Sequence, residues 1–88
     1  HDEGKSLPET PEVHIYPNPA MRNDVLNIRV DRQGTAEIIS VLGQQLSKPF
    51  VLSANEVHRY TLPPLAAGLY FLKFTSNGKS HAQRFVIR

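Results

Sequence analysis

From residue 13 onward the apolar residues of this chain come only in short runs, and proline, glycine or asparagine cuts each run off before a helical period can build up. The clearest run is residues 25–30, where Leu26, Ile28 and Val30 alternate with Asn27 and Arg29. A period of two places one face on a core and the other in water, which is the signature of a strand. New runs begin roughly every 8 to 12 residues, the spacing expected of a β-sandwich or barrel. The chain is therefore confined to sheets.

The other runs can be placed in the same way. Residues 13–16 form a first strand, halted by Pro17-Asn18-Pro19 because neither proline can donate to a ladder. Residues 35–41 place Ala36 and Ile38 on one side and Glu37 and Ile39 on the other. They lead into a Leu42-Gly43-Gln44 turn, where glycine supplies a positive φ. A hairpin partner is expected over residues 45–52. Residues 57–62 carry their apolar face on His58, Tyr60 and Leu62 and stop at Pro63-Pro64. Gly68 opens a strand over residues 68–75, with Tyr70, Leu72 and Phe74 facing inward together. Asn77-Gly78 is a type I′ hairpin signal. It returns the chain into a last strand over residues 80–87, with Phe85 and Ile87 on one face and Val86 on the other. Seven strands without a helix predict an all-β, seven-stranded, immunoglobulin-like Greek-key sandwich.

Size limits what such a fold can do. A chain of 88 residues buries only about 60 to 65 per cent of its unfolded surface, enough for one modest core and no deep pocket. The longest apolar stretches, such as residues 69–72, are far short of the roughly 20 residues that cross a bilayer. No secretory signal pattern begins at His1, so any export signal is expected upstream. The absence of cysteine excludes disulfides, thiolate metal sites and cysteine nucleophiles.

Charge is unevenly spread. Residues 1–12 hold Asp2, Glu3, Glu9 and Glu12 with Gly4, Pro8 and Pro11, a composition that reads as a mobile linker ahead of a domain over residues 13–88. After Glu56 no acid appears, whereas Arg59, Lys73, Lys79, Arg84 and Arg88 are expected to give the last third a one-signed face. Such a face attracts an anionic partner, or guards strand edges against aggregation.

No chemistry-bearing constellation emerges. His14, His58 and His81 lie on three separate strands without the close spacing of a zinc site, and His1 lies on the linker. The glycines sit at linker or turn positions, and no nucleophile elbow or phosphate loop is present. Asp24, Asp31, Glu37 and Glu56 are scattered. Tryptophan is absent and most tyrosines and phenylalanines are needed in the core, which counts against stacking on sugars or nucleic acid. Tyr16 is the aromatic most expected to be partly exposed. The reading is of a domain that is not an enzyme and uses no metal or cofactor.

Five motifs, in order, carry a resemblance. They are Ile15-Tyr16-Pro17-Asn18-Pro19-Ala20, Leu26-Asn27-Ile28, the run from Ala36 through Leu42-Gly43-Gln44, Leu65-Ala66-Ala67-Gly68-Leu69-Tyr70-Phe71-Leu72-Lys73, and Gln83-Arg84-Phe85-Val86-Ile87. Together they resemble the type A C-terminal sorting domain of the type IX (Por) secretion system of Bacteroidetes, from about Val13 to Arg88. The resemblance implies a domain that travels as the tail of a cargo protein, through the periplasm to the cell surface, and is recognised by the outer-membrane translocon and its shuttle proteins. It further implies a sortase-like peptidase that cuts in the linker before Val13, with this domain as substrate.

Matched position by position, Gly68 and Tyr70 correspond to the family's Gly-x-Tyr motif. Lys79, Arg84, Phe85, Val86, Ile87 and Arg88 correspond to its basic, apolar C-terminal strand. Ser40 stands where that family usually has Asp or Asn, and Arg88 where lysine or glutamine is common. The competing reading is a carbohydrate-binding or adhesive sandwich appended to a surface hydrolase. An exposed edge strand also offers a contact for a homodimer.

Overall fold

The alternation of Leu26, Ile28 and Val30 does what its period dictates: all three are buried, while Arg29 between them is exposed. The computed structural model describes residues 8–88. Residues 1–7, most of the segment assigned as a linker, lie outside them. The described chain forms seven strands and no helix, namely β1 (Val13–Tyr16), β2 (Val25–Val30), β3 (Gly34–Ile39), β4 (Phe50–Leu52), β5 (His58–Thr61), β6 (Gly68–Ser76) and β7 (Lys79–Ile87). They build two antiparallel sheets, ordered β1-β2-β5 and β4-β3-β6-β7.

The inward residues of both sheets form one core. Leu26, Ile28 and Val30 of β2 meet Ala36 and Ile38 of β3, Leu52 of β4, Leu72 and Phe74 of β6, and Phe85 and Ile87 of β7, with Ala20 and Leu62 contributed by loops. No polar or charged residue is buried among the described residues. No buried side-chain ion pair or polar network therefore contributes to the contact between the sheets, whose core is held by apolar packing. The ring of Phe50 on β4 stacks on Tyr60 of β5 at 4.4 Å and on His58 at 5.4 Å, so an aromatic contact closes the flank between the two sheets. At the β6–β7 turn Asn77 and Gly78 both have positive φ, 52° and 77°, as a type I′ turn requires.

One strand is shorter than expected. Residues 45–52 were to pair along β3, yet only Phe50–Leu52 does so. Before it stands a single bridge, Ile39 to Gln45. Leu46 donates to the Ile38 carbonyl at 2.8 Å, and the Ile38 N–H is taken by the Ser47 hydroxyl at 2.9 Å. A side-chain oxygen has replaced the carbonyl that a continuous ladder would supply, and Pro49 then has no N–H to offer. The ladder resumes only beyond that proline.

At the β2–β3 corner Arg32 pairs with Asp31 through two bonds, Nε to Oδ1 at 2.9 Å and Nη2 to Oδ2 at 3.0 Å. Arg32 Nη2 also donates to the Pro8 carbonyl at 2.7 Å, and Asp31 N–H donates to the Glu12 carbonyl at 3.2 Å. The approach to β1 is thereby fastened to this corner. The guanidinium holds the Asp31 carboxyl below its ordinary value of 3.8, against the opposing effect of burial. A carboxylate with a lowered pKa stabilises the fold above its unfolded-state value, and that contribution disappears as pH falls through the folded-state value. Asp31→Asn is therefore expected to lower Tm at neutral pH, with the gap to the parent closing below about pH 4. Parallel melts from pH 7 to pH 2 check this; a gap of constant size would show that the ion pair is not its source.

Candidate functional site

The motif residues of the second half occupy one end of the sandwich. Gly68 opens β6 directly opposite Ile87, and Tyr70 lies opposite Phe85. The backbone at Gly68 has a φ of 156°, outside the usual range of residues with a Cβ. Tyr70 turns its ring inward against Phe85, with centroids 6.0 Å apart, and its hydroxyl donates to the Ala66 carbonyl at 2.6 Å. The hydroxyl is thus tied to the loop just before the strand. Tyr70→Phe is expected to cost about 1 kcal/mol, the usual net worth of such a bond. In a domain of this size that lowers Tm by about 4 to 8 °C, readable in a thermal melt.

The remaining carried-over residues divide by strand parity. Phe85 and Ile87 are 0% and 2% exposed and belong to the core. Arg84 is exposed and Val86 half-buried on the outer side of β7, and Arg88 follows exposed. Lys79 begins β7 at the opposite end of the sandwich, roughly 25 to 30 Å from Ile87 at about 3.4 Å per residue. It is not brought together with the others.

The first motif joins them instead. Asn18 Oδ1 accepts from the Val86 N–H at 3.1 Å. Ala20 bridges Ile87 in parallel, its N–H donating to the Val86 carbonyl and its carbonyl accepting from the Arg88 N–H, both at 2.8 Å. Arg22 N–H then donates to the Arg88 carbonyl at 3.3 Å. Residues 18–22 therefore form a clasp over the end of β7. Ala20 is fully buried beneath it.

The third motif reaches the same end. Ile39, the last residue of β3, pairs with Phe71, three residues from Gly68, so the turn that follows lies at the end of the sheet where Gly68 opens β6. There the Ser40 hydroxyl accepts from the N–H groups of Leu42 and Gln44 at 3.2 and 3.1 Å, and the Gly43 N–H donates to the Ser40 carbonyl at 2.9 Å. The serine oxygen does the work of an Asp or Asn oxygen in such a turn, so the departure at this position preserves the loop. Gly43 takes the expected positive φ, 83°.

This braced turn holds Leu42 almost entirely in water, at 90% exposure. Val41, Met21, Tyr16 and Leu69 are also exposed, and their positions in the register place them at the same end. Arg22, Arg84 and Arg88 stand among them. Asp24 is the acid nearest in sequence to Arg22, and its carboxylate accepts from the Met21 N–H at 2.8 Å. Exposed apolar side chains and arginines thus share one end of the sandwich, the composition of a protein contact. Sequence reasoning did not single out Met21, and it read Val41 as the end of a strand and Leu42 as the first residue of a turn. The signal available was Val41-Leu42 placed immediately before a turn glycine, with no strand left to bury them.

The one-signed face expected of the last third does not form as such. Arg59 lies on β5 in the other sheet, opposite Asn27. Lys73 lies directly opposite Glu37. The chain order of these cations scatters across two sheets, and Lys79, Arg84 and Arg88 remain as the cations of β7 and its end. Among the described residues no three His, Asp or Glu side chains gather as metal ligands.

Compared with known families, residues 14–88 match the one described as "Secretion system C-terminal sorting domain". No curated protein and no solved structure matches the chain.

Proposed function

Since this chain belongs to the secretion-system C-terminal sorting domain family, the sorting signal of type IX secretion, we propose that its clasped end is the surface read by the outer-membrane translocon. Members of this family act as signals rather than catalysts, on proteins exported to the outer membrane or cell surface. The observation that carries the proposal is Leu42, which is 90% exposed on a turn braced by the hydrogen bonds of Ser40, at the same end as Met21, Leu69, Arg22, Arg84 and Arg88. Placing an apolar side chain in water on a rigid support gives up stability that a partner's contact restores.

The family likeness supports the remaining steps of the reading. The domain crosses the periplasm with its cargo, meets the shuttle proteins and translocon, and is cut from the cargo by a sortase-like peptidase ahead of β1. The immunoglobulin-like character of the sandwich is part of the same proposal. A three-stranded β1-β2-β5 sheet against β4-β3-β6-β7 is the immunoglobulin division with its fourth strand moved to the second sheet. The Tyr70 hydroxyl bonded to Ala66 resembles that fold's tyrosine corner on the sixth strand. No observation favours the carbohydrate-binding reading, since Tyr16 is the one strongly exposed aromatic among the described residues.

The test is a reporter carrying the 88-residue chain at its C-terminus, in a Bacteroidetes host with and without a working translocon. Surface display is expected only with the translocon. Leu42→Ser combined with Met21→Ser is expected to reduce display about tenfold or more while leaving the fold intact. A parent reporter retained in both hosts would remove the sorting reading, and a double variant displayed like the parent would remove the role of this end.

A further inference from the structure

The two sheets leave four strands at their edges, and these edges are not alike. β1, β4 and β5 are three or four residues long, whereas β7 runs for nine. Its register with β6 is unbroken from Ser76 opposite Lys79 to Gly68 opposite Ile87. The clasp engages the backbone of Val86 and Arg88 on the side away from β6. Successive residues of a strand point their N–H and C=O to opposite sides, so Ser80, Ala82 and Arg84 face that same open side. Among the described residues no backbone group pairs with them; the Arg84 carbonyl accepts only a 3.4 Å bond from the Gln83 amide. The edge is closed at one end by the clasp; at the other, Ser80 borders a cleft that Pro8, Glu9, Thr10 and Pro11 also line, and the backbone of Ser80, Ala82 and Arg84 is left without a partner strand.

We propose that the open edge of β7 over Ser80, Ala82 and Arg84 takes an extended, acidic segment of a protein partner as an added strand. The inference rests on the sorting reading and names how that partner is held. Main-chain hydrogen bonds would supply the affinity and alternate side chains the choice of partner. Charge selects the occupant: Lys79 and Arg84 are exposed at either end of the open stretch and β7 contains no acid. A second copy brings the same cations, because an antiparallel β7–β7 pairing doubles the positive charge along one seam. An acidic strand neutralises it. The clasp sets the register by blocking any strand that would extend past Val86.

Ala82→Pro tests this directly. The Ala82 N–H points away from β6, so its loss leaves the existing ladder whole, whereas an added strand loses a donor and meets the proline ring. In the reporter host the variant is expected to fold, with a melt and circular dichroism like the parent's, and to be displayed about tenfold less or worse. Lys79→Glu with Arg84→Glu provides a second readout that leaves the backbone untouched, and is expected to reduce display similarly. A parent reporter that is not displayed would fault the sorting reading itself. With the parent displayed, normal display of the charge-reversed variant, or of a folded Ala82→Pro, would overturn the added strand. Loss of self-association in sedimentation with unchanged display would also overturn it, making a second copy the occupant.

Discussion

A chain lacking residues 85–88 is expected to be unfolded at room temperature. Two of the four lost side chains, Phe85 and Ile87, are almost wholly buried. Truncating such residues costs about 3 to 5 kcal/mol for phenylalanine and 2 to 5 for isoleucine. The whole margin of a domain this size is roughly 5 to 13 kcal/mol. The deletion also strips the clasp of its partners, since Ala20 and Arg22 bond to Val86 and Arg88. Circular dichroism of the shortened chain checks the expectation, and a cooperative melt near that of the parent would refute it. The result bears on how export experiments are read. A deletion that stops secretion does not separate lost recognition from lost folding. Arg84→Ala and Arg88→Ala do separate them, because both side chains are exposed and their removal should shift stability by no more than about 0.5 kcal/mol.

Gly34→Ala is expected to lower stability by about 2 to 3 kcal/mol, and Gly34→Val by more. Gly34 opens β3, and a Cβ placed there would lie 2.7 Å from two ring carbons of Phe74 and nearer still to the Thr75 carbonyl oxygen. Phe74 is fully buried, and the carbonyl belongs to the strand paired beside Gly34, so neither can move aside freely. At about 4 to 8 °C per kcal/mol the alanine variant should melt about 10 °C or more below the parent. Gly43→Ala makes the comparison, because its φ is 83° but nothing lies within 4 Å of the added carbon. It should cost about 1 kcal/mol from backbone strain alone. If the two variants lose the same stability, crowding against Phe74 is not the cause. Recovery of Gly34→Ala by Phe74→Leu would show the coupling of two touching residues.

Most of the strand pattern was legible because period two and its terminators are local. The ends of β1 and β2 follow from Pro17 and from the Val25–Val30 alternation, and the Asn77-Gly78 turn follows from backbone sterics. What was not legible is non-local. The shortness of β4 depends on Ser47 reaching Ile38, nine residues away, and composition gives no hint of that. Gly34 reads as a turn glycine until β6 is placed beside it. Parity showed that Phe85 and Ile87 share a face, but not that the face is the core rather than the contact surface. The likeness of Arg84 to Arg88 to a recognition strand therefore merged two roles that alternate residue by residue. The clasp lay furthest from view, since Asn18 and Val86 are separated by almost the whole domain.

That clasp gives the fold a bearing on translation. Residues 18–22 leave the ribosome long before β7, and until β7 follows, Ala20 lacks the strand it bonds to and the core lacks Phe85 and Ile87. No partial chain can adopt the finished shape of this end. A protein whose synthesis stops short of β7 thus carries an unfolded tag, and any receptor that reads the folded end selects for cargo translated through to its last strand.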